Sequence, residues 1–112
     1  NSEEIELKKK AIEEATKYAS EIPVAVMETA CASMEIMKKM VETGLQSSLS
    51  DAAVGALCAK TAVTGAYLNV RINAKDIKDQ DFVVKILEKA KGIAGASAKM
   101  EQEIMSLVDT RI

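Results

Sequence analysis

The chain contains no histidine, so proton transfer near neutral pH falls to carboxylates, lysine, cysteine, tyrosine or water with a shifted pKa. The polar groups best placed for such work share one segment, Asp51 to Asn73. Advancing 100° per residue, Gly55, Cys58, Ala62, Asn69 and Asn73 all fall within roughly 40° of the Asp51 direction, so one helical face is small and polar. Asn69 and Asn73 stand one turn apart, about 6 Å along the axis, a spacing suited to holding a flat heterocycle or an amide through paired donors and acceptors. The same pair would serve equally as a hydrogen-bonding link between helices. Asp51 is the candidate catalytic carboxylate, although an acid in a first helical turn beside a serine is also ordinary helix design. Arg71 points to the other side, toward a substrate carboxylate or toward solvent.

Other chemistry finds little support. Cys31 and Cys58 lack CxxC spacing and are expected to be buried free thiols, and no metal site is indicated. Neither GxGxxG nor GxxxxGK[ST] occurs, so no phosphate cradle is indicated. Asp76 and Asp79 suit a loop and a helix cap. Met27, Met34, Met37 and Met40 suit core or helix-interface packing.

Helices must position these groups. Ser2, Glu3 and Glu4 make a helix start, and Ile5, Ile12, Ala15, Ala19 and Ile22 give the first helix an apolar stripe opposite a solvated Glu/Lys face. Pro23 is expected to break or kink it there. Met27, Ala30, Cys31, Met34, Met37, Val41 and Leu45 continue the pattern in a second segment ending near Gly44. After a polar loop over 46–50, Ser50 and Asp51 signal a long, largely buried helix to Asn73. Its flanks are Val54, Leu57, Leu68 and Ile72 on one side and Ala52, Ala56, Val63 and Val70 on the other. A loop over 74–80 leads to a last helix starting at Asp79 or Asp81 and reaching Asp109. Gly92 and Gly95 weaken that helix unless another approaches closely there. With no strand pattern, the expected fold is all-α, an antiparallel bundle of about four helices in a single domain spanning 1–112.

Composition limits the function classes. A net charge of −2 and a pI near 5.2 give no electrostatic basis for nucleic acid. No apolar run reaches the roughly 20 residues of a membrane span, and the charged start lacks a signal-peptide core, so a cytoplasmic protein is expected. Apolar stripes on every helix predict a homodimer or larger assembly.

The pieces Ala11-Ile12, Ala15, Ala19 and Ile22-Pro23, then Ser50-Asp51 and Gly55, then Gly65-Ala66-Tyr67-Leu68-Asn69-Val70-Arg71-Ile72-Asn73, and finally Asp79 and Phe82 occur in an order that resembles the cyclodeaminase/cyclohydrolase family of folate one-carbon enzymes. The likeness is most specific in the Gly65–Asn73 segment. Family domains are roughly twice this length, and the chain resembles the carboxy-terminal half. The resemblance implies a dimerising helical bundle with a folate pocket between helices. It implies a tetrahydrofolate derivative as substrate, with no covalently bound cofactor. Asp51 would be the carboxylate near the one-carbon unit, Asn69 and Asn73 would position the pterin or that unit, and Arg71 or Lys75 would meet the glutamate tail. The competing expectation is a non-catalytic helical dimerisation module.

Overall fold

The computed structural model describes all of residues 1–112 and contains three helices, α1 (Ser2–Thr43), α2 (Leu49–Ala74) and α3 (Gln80–Arg111), with one 3-10 turn at Gln46–Ser48. The all-α expectation is met, but three helices replace the expected four. The reason lies at Pro23, where α1 runs on unbroken for 42 residues. A proline inside a helix removes the N–H that would bond the carbonyl four residues back, here that of Ala19. In this chain the Asn73 side-chain amide donates to the Ala19 carbonyl at 3.1 Å. A residue 54 positions away thus satisfies the acceptor that Pro23 orphans, and no break is needed.

Helix ends follow local chemistry. Asn1, rather than Ser2, caps α1: its side chain accepts from the Glu4 N–H while Glu4 reaches back to the cap backbone, a reciprocal capping box. Gly44 closes α1, and a Cβ there would collide with the Met40 carbonyl. α2 begins at Leu49, ahead of the expected Ser50-Asp51 start, and Ser48 makes no side-chain cap bond. Asp79 caps α3 by accepting from the Phe82 N–H at 3.2 Å.

Small residues on α2 let the helices close. One core cluster joins Met34 and Val41 of α1, Leu49, Ala52, Ala53, Ala56 and Ala59 leading into and along α2, and Ile104 and Val108 of α3. A second joins Val24, Met27, Val63, Ala66, Val70, Ile86 and Ala90. Of the four methionines singled out, Met27 and Met34 are fully buried and Met40 is exposed. At Gly55 an added Cβ would meet the Met37 sulfur at 3.1 Å, so α1 and α2 approach closely there. Nothing lies near the corresponding position at Gly92 or Gly95, so no other helix approaches α3 closely there.

The result is long and thin, 68 × 19 × 16 Å, with a radius of gyration of 18.6 Å against about 13 Å for a compact domain of some 100 residues. α2 is only half covered. The Ala52, Ala56, Val63 and Val70 side is buried, whereas Val54, Leu57, Leu68 and Ile72 are exposed, so the expectation of a largely buried helix holds for one flank alone. No helix is long and apolar enough to cross a membrane.

Candidate functional site

Asn69 and Asn73 line a shallow groove between α1 and α2 with Ala19, Ile22, Pro23, Val26, Ala62 and Ala66. Helical periodicity places them there: both asparagines sit on the α2 edge that meets α1, one turn apart. The groove has no charged side chain. Its apolar walls fit the face of a planar ring, and the amides fit its polar edge. The Asn73 nitrogen is already committed to Ala19, which leaves its carbonyl oxygen and the Asn69 amide for a ligand. Asn73 therefore has a structural duty whatever else it does.

The other two candidates lie elsewhere. Asp51 is exposed in the first turn of α2, 18 residues before Asn69, or about 27 Å along the axis at 1.5 Å per residue. It shares a face with the asparagines, but one small substrate cannot touch both within a single chain. Arg71 lies on the α3 side of α2, its guanidinium over the Tyr67 ring at 5.5 Å, a cation–π contact. There it borders a second groove with Lys75, Gln80, Val83, Leu87, Glu88 and Lys91. Lys75 caps the end of α2. Arg71, Lys75 and Lys91 against the single acid Glu88 make this groove net positive, a setting for a carboxylate.

Two further contacts were hidden in what the pattern shows as a solvated Glu/Lys face. Glu13 accepts from the Lys78 and Asp79 backbone N–H groups at 2.9 Å each, and these two bonds hold its carboxyl below the usual carboxylate range. Lys17 bonds Asp79 at 2.8 Å and stands over Phe82 at 5.3 Å. That bond raises the Lys17 pKa and lowers that of Asp79. Together they strap the loop between α2 and α3 onto α1. Charge alternation on α1 was visible, but the partners lie more than 60 residues away.

The thiols differ from expectation. Cys31 is half-buried, and burial raises its pKa, while Cys58 is exposed on the open side of α2. No group of three or more acidic or thiol side chains is placed to hold a metal ion.

Comparison with known proteins gives this arrangement a context. Residues 1–92 match the family model described as Formiminotransferase-cyclodeaminase. Formimidoyltransferase-cyclodeaminase of Dictyostelium discoideum is 32% identical over 101 residues, covering 90% of this chain and 19% of that protein. Methenyltetrahydrofolate cyclohydrolase of Methylorubrum extorquens is 28% identical over 101 residues, 90% of this chain and 49% of that protein. The Gallus gallus Formimidoyltransferase-cyclodeaminase is 35% identical over 96 residues, 80% of this chain and 18% of the protein. The chain thus spans about half the length of the cyclohydrolase and a fifth of the bifunctional relatives. With most of its residues inside the family model and both kinds of relative matching nearly its whole length, the chain belongs to the formiminotransferase-cyclodeaminase family.

Proposed function

We propose that the chain forms part of a folate one-carbon enzyme that hydrolyses 5,10-methenyltetrahydrofolate to formyltetrahydrofolate or cyclises formiminotetrahydrofolate with loss of ammonia. The observation that carries this reading is the uncharged Asn69/Asn73 groove in a chain similar to both a cyclohydrolase and cyclodeaminases. In the hydrolytic direction water adds to the cationic methenyl carbon between N5 and N10 and loses a proton to a base. The carbon–nitrogen bond to one of these nitrogens then breaks, an acid protonates that departing nitrogen, and the carbon stays on the other nitrogen as a formyl group. In the cyclising direction N10 attacks the formimino carbon and ammonia leaves. Both routes create or discharge positive charge at that carbon, and a carboxylate beside it lowers the barrier electrostatically.

Asp51 is the proposed carboxylate. Asn69 and the free oxygen of Asn73 orient the pterin or the one-carbon unit, and Arg71 with Lys75 attracts the glutamate tail. A spectrophotometric assay offering both folates side by side tests the reading, with one of them turned over. Loss of at least about 100-fold in turnover is expected for Asp51→Ala; unchanged turnover removes Asp51 from the chemistry.

A second reading is favoured by the distance from Asp51 to Asn69. A single chain holds no acid beside its asparagine groove, as expected of a non-catalytic helical module. Binding of neither folate in calorimetry would select it.

A further inference from the structure

Pro23 stands in the wall of the Asn69/Asn73 groove together with Ala19. One turn after Ala19, it leaves the Ala19 carbonyl without its helix donor, and the Asn73 amide takes the place of the missing N–H at 3.1 Å. A carbonyl oxygen accepts and never donates, so the nitrogen of Asn73 must face Ala19 and the amide oxygen must occupy the other prong. The bond therefore does more than fill a gap in α1. It settles which way round Asn73 is presented. Asn69, exposed one turn earlier on the same helix, has no such tie and turns either prong to a ligand.

Orientation matters because the groove has little else with which to read a ligand. Its remaining lining side chains are all apolar, and its volume is about 450 Å³, within the range of small-molecule sites. Where no charge is present, hydrogen-bond polarity alone distinguishes one edge of a planar ring from another. A fixed acceptor that meets a ligand acceptor loses water and gains no bond, whereas one that meets a donor is satisfied.

We propose that Pro23 is a positioning residue acting through Asn73: by orphaning the Ala19 carbonyl it fixes Asn73 as a hydrogen-bond acceptor, and the groove thereby selects the ring edge that donates. Resting on the proposed function, that edge is the 2-amino edge of the pterin. In the methenyl substrate N5 and N10 carry no hydrogen, so the one-carbon bridge has no donor to offer and the pterin must supply it. The 2-amino group is a donor flanked by the N3–H donor on one side and the N1 acceptor on the other. Asn69, free to turn and about 6 Å away along α2, pairs with whichever neighbour reaches it. The ring carbonyl, an acceptor, is turned away from Asn73. With alanine at position 23 the helix would supply its own N–H to Ala19, and the amide would lose its fixed sense.

Pro23→Ala tests this without threatening the fold, since it restores a helix hydrogen bond. In nuclear magnetic relaxation the Asn73 side-chain N–H groups of the 112-residue chain should behave as a rigid unit, and in Pro23→Ala their order parameter should fall below about 0.6. Calorimetric titration with 5-formyltetrahydrofolate and with its 2-desamino analogue then reads the selection. The unmodified chain should bind the analogue at least about 10-fold more weakly. Pro23→Ala should narrow that ratio to under about 3-fold while weakening the natural folate by about 2- to 10-fold, a split that a proline serving only helix shape would not produce. A mobile Asn73 amide in the unmodified chain, or an equal ratio in the two proteins, overturns the proposal. A rigid amide on a chain that binds neither folate upholds Pro23 as the residue that sets Asn73, and removes the folate reading together with the pterin edge assigned on it.

Discussion

The two broad faces of the α1/α2 pair are built from the same residue types and meet opposite fates. One receives α3, which buries Ile86, Ala90, Ile104 and Val108 against it and turns Lys85, Glu88, Lys89, Lys91 and Lys99 to solvent. Ion pairs edge that contact, with Lys38 to Glu103 at 3.1 Å and Lys89 to Glu28 at 2.7 Å. The other face has the helical apolar spacing but neither a third helix nor a charged rim. A helix that is apolar on nearly all sides is normally buried on all sides, and α2 is such a helix. The difference teaches that a single chain covers only one flank of α2, and that the asparagine groove lies on the bare side.

Truncating each face should give the sharpest contrast. Ile104 is fully buried in the α3 contact, and Ile104→Ala should cost about 2–5 kcal/mol through lost transfer energy and a residual cavity. Ile72→Ala removes an equally large apolar side chain from the bare face, and at dilutions where the chain is monomeric it should cost less than about 0.5 kcal/mol. Urea denaturation across a protein-concentration series reads both. Equal costs at high dilution would mean that the bare face is covered within one chain, and the comparison would collapse.

The groove between the faces offers a smaller effect. Asn73→Ala takes the donor from the Ala19 carbonyl and should cost about 1 kcal/mol, the net worth of a hydrogen bond whose acceptor can regain water. In a Pro23→Ala background the backbone at residue 23 supplies its own N–H to Ala19, and the same change should cost almost nothing. A double-mutant cycle by thermal denaturation measures that coupling. Additive costs would show that Asn73 does not compensate for the proline.

These two residues also mark how far the sequence could be read. Helix identity was legible because spacings of three and four persist along every segment, and Asp79 was legible as a start because a cap is local. Continuity through Pro23 was not, since the partner that makes it tolerable lies on another helix. The asparagines were legible as an anomaly in an apolar helix, but whether Asn73 serves a ligand or the neighbouring backbone depended on where α1 lies. Asp51 and Asn69 share a helical direction, which periodicity reports, while their separation along the axis decides whether they share a substrate. Which flank of α2 is buried was invisible, because Val54, Leu57, Leu68 and Ile72 are as apolar as the flank that α1 and α3 cover.

Glycine gives a finer probe of the same contrast. Gly92 of α3 has open space where a Cβ would go, and Gly92→Ala should stabilise the chain by about 0.5–1 kcal/mol through helix propensity alone. Gly55→Ala should gain less, because its Cβ would press on the Met37 sulfur and the thioether must move aside. Melting temperatures of the two variants, taken under one buffer, order them. A larger gain at Gly55 would show that α1 and α2 are less tightly joined than α3 is to either.

The smallest effect belongs to the strap that ties the α2–α3 loop to α1. Glu13 is held ionised by the Lys78 and Asp79 N–H groups, and Asp79 by its bond to Lys17 and then by the Phe82 N–H. Both carboxyls lie below their unfolded values of about 4, so their contribution is complete above that pH and is lost as the pH falls through the lowered pKa values. Lys17 has the opposite sign: its raised pKa gives stability that is complete below about 10 and is lost only in stronger alkali. All three groups are solvent-screened, which keeps the effect small. Melting temperature should therefore be flat from neutral pH to about 4 and decline below it, and Glu13→Gln should flatten part of that decline, since an uncharged amide does not titrate. The Lys78 and Asp79 amide resonances should move over the same acid range in the wild type and stay fixed in the variant. An unchanged acid limb in Glu13→Gln would place the strap's stability in Asp79 and Lys17 alone, and would leave α3 anchored to the covered face by its apolar contacts rather than by its cap.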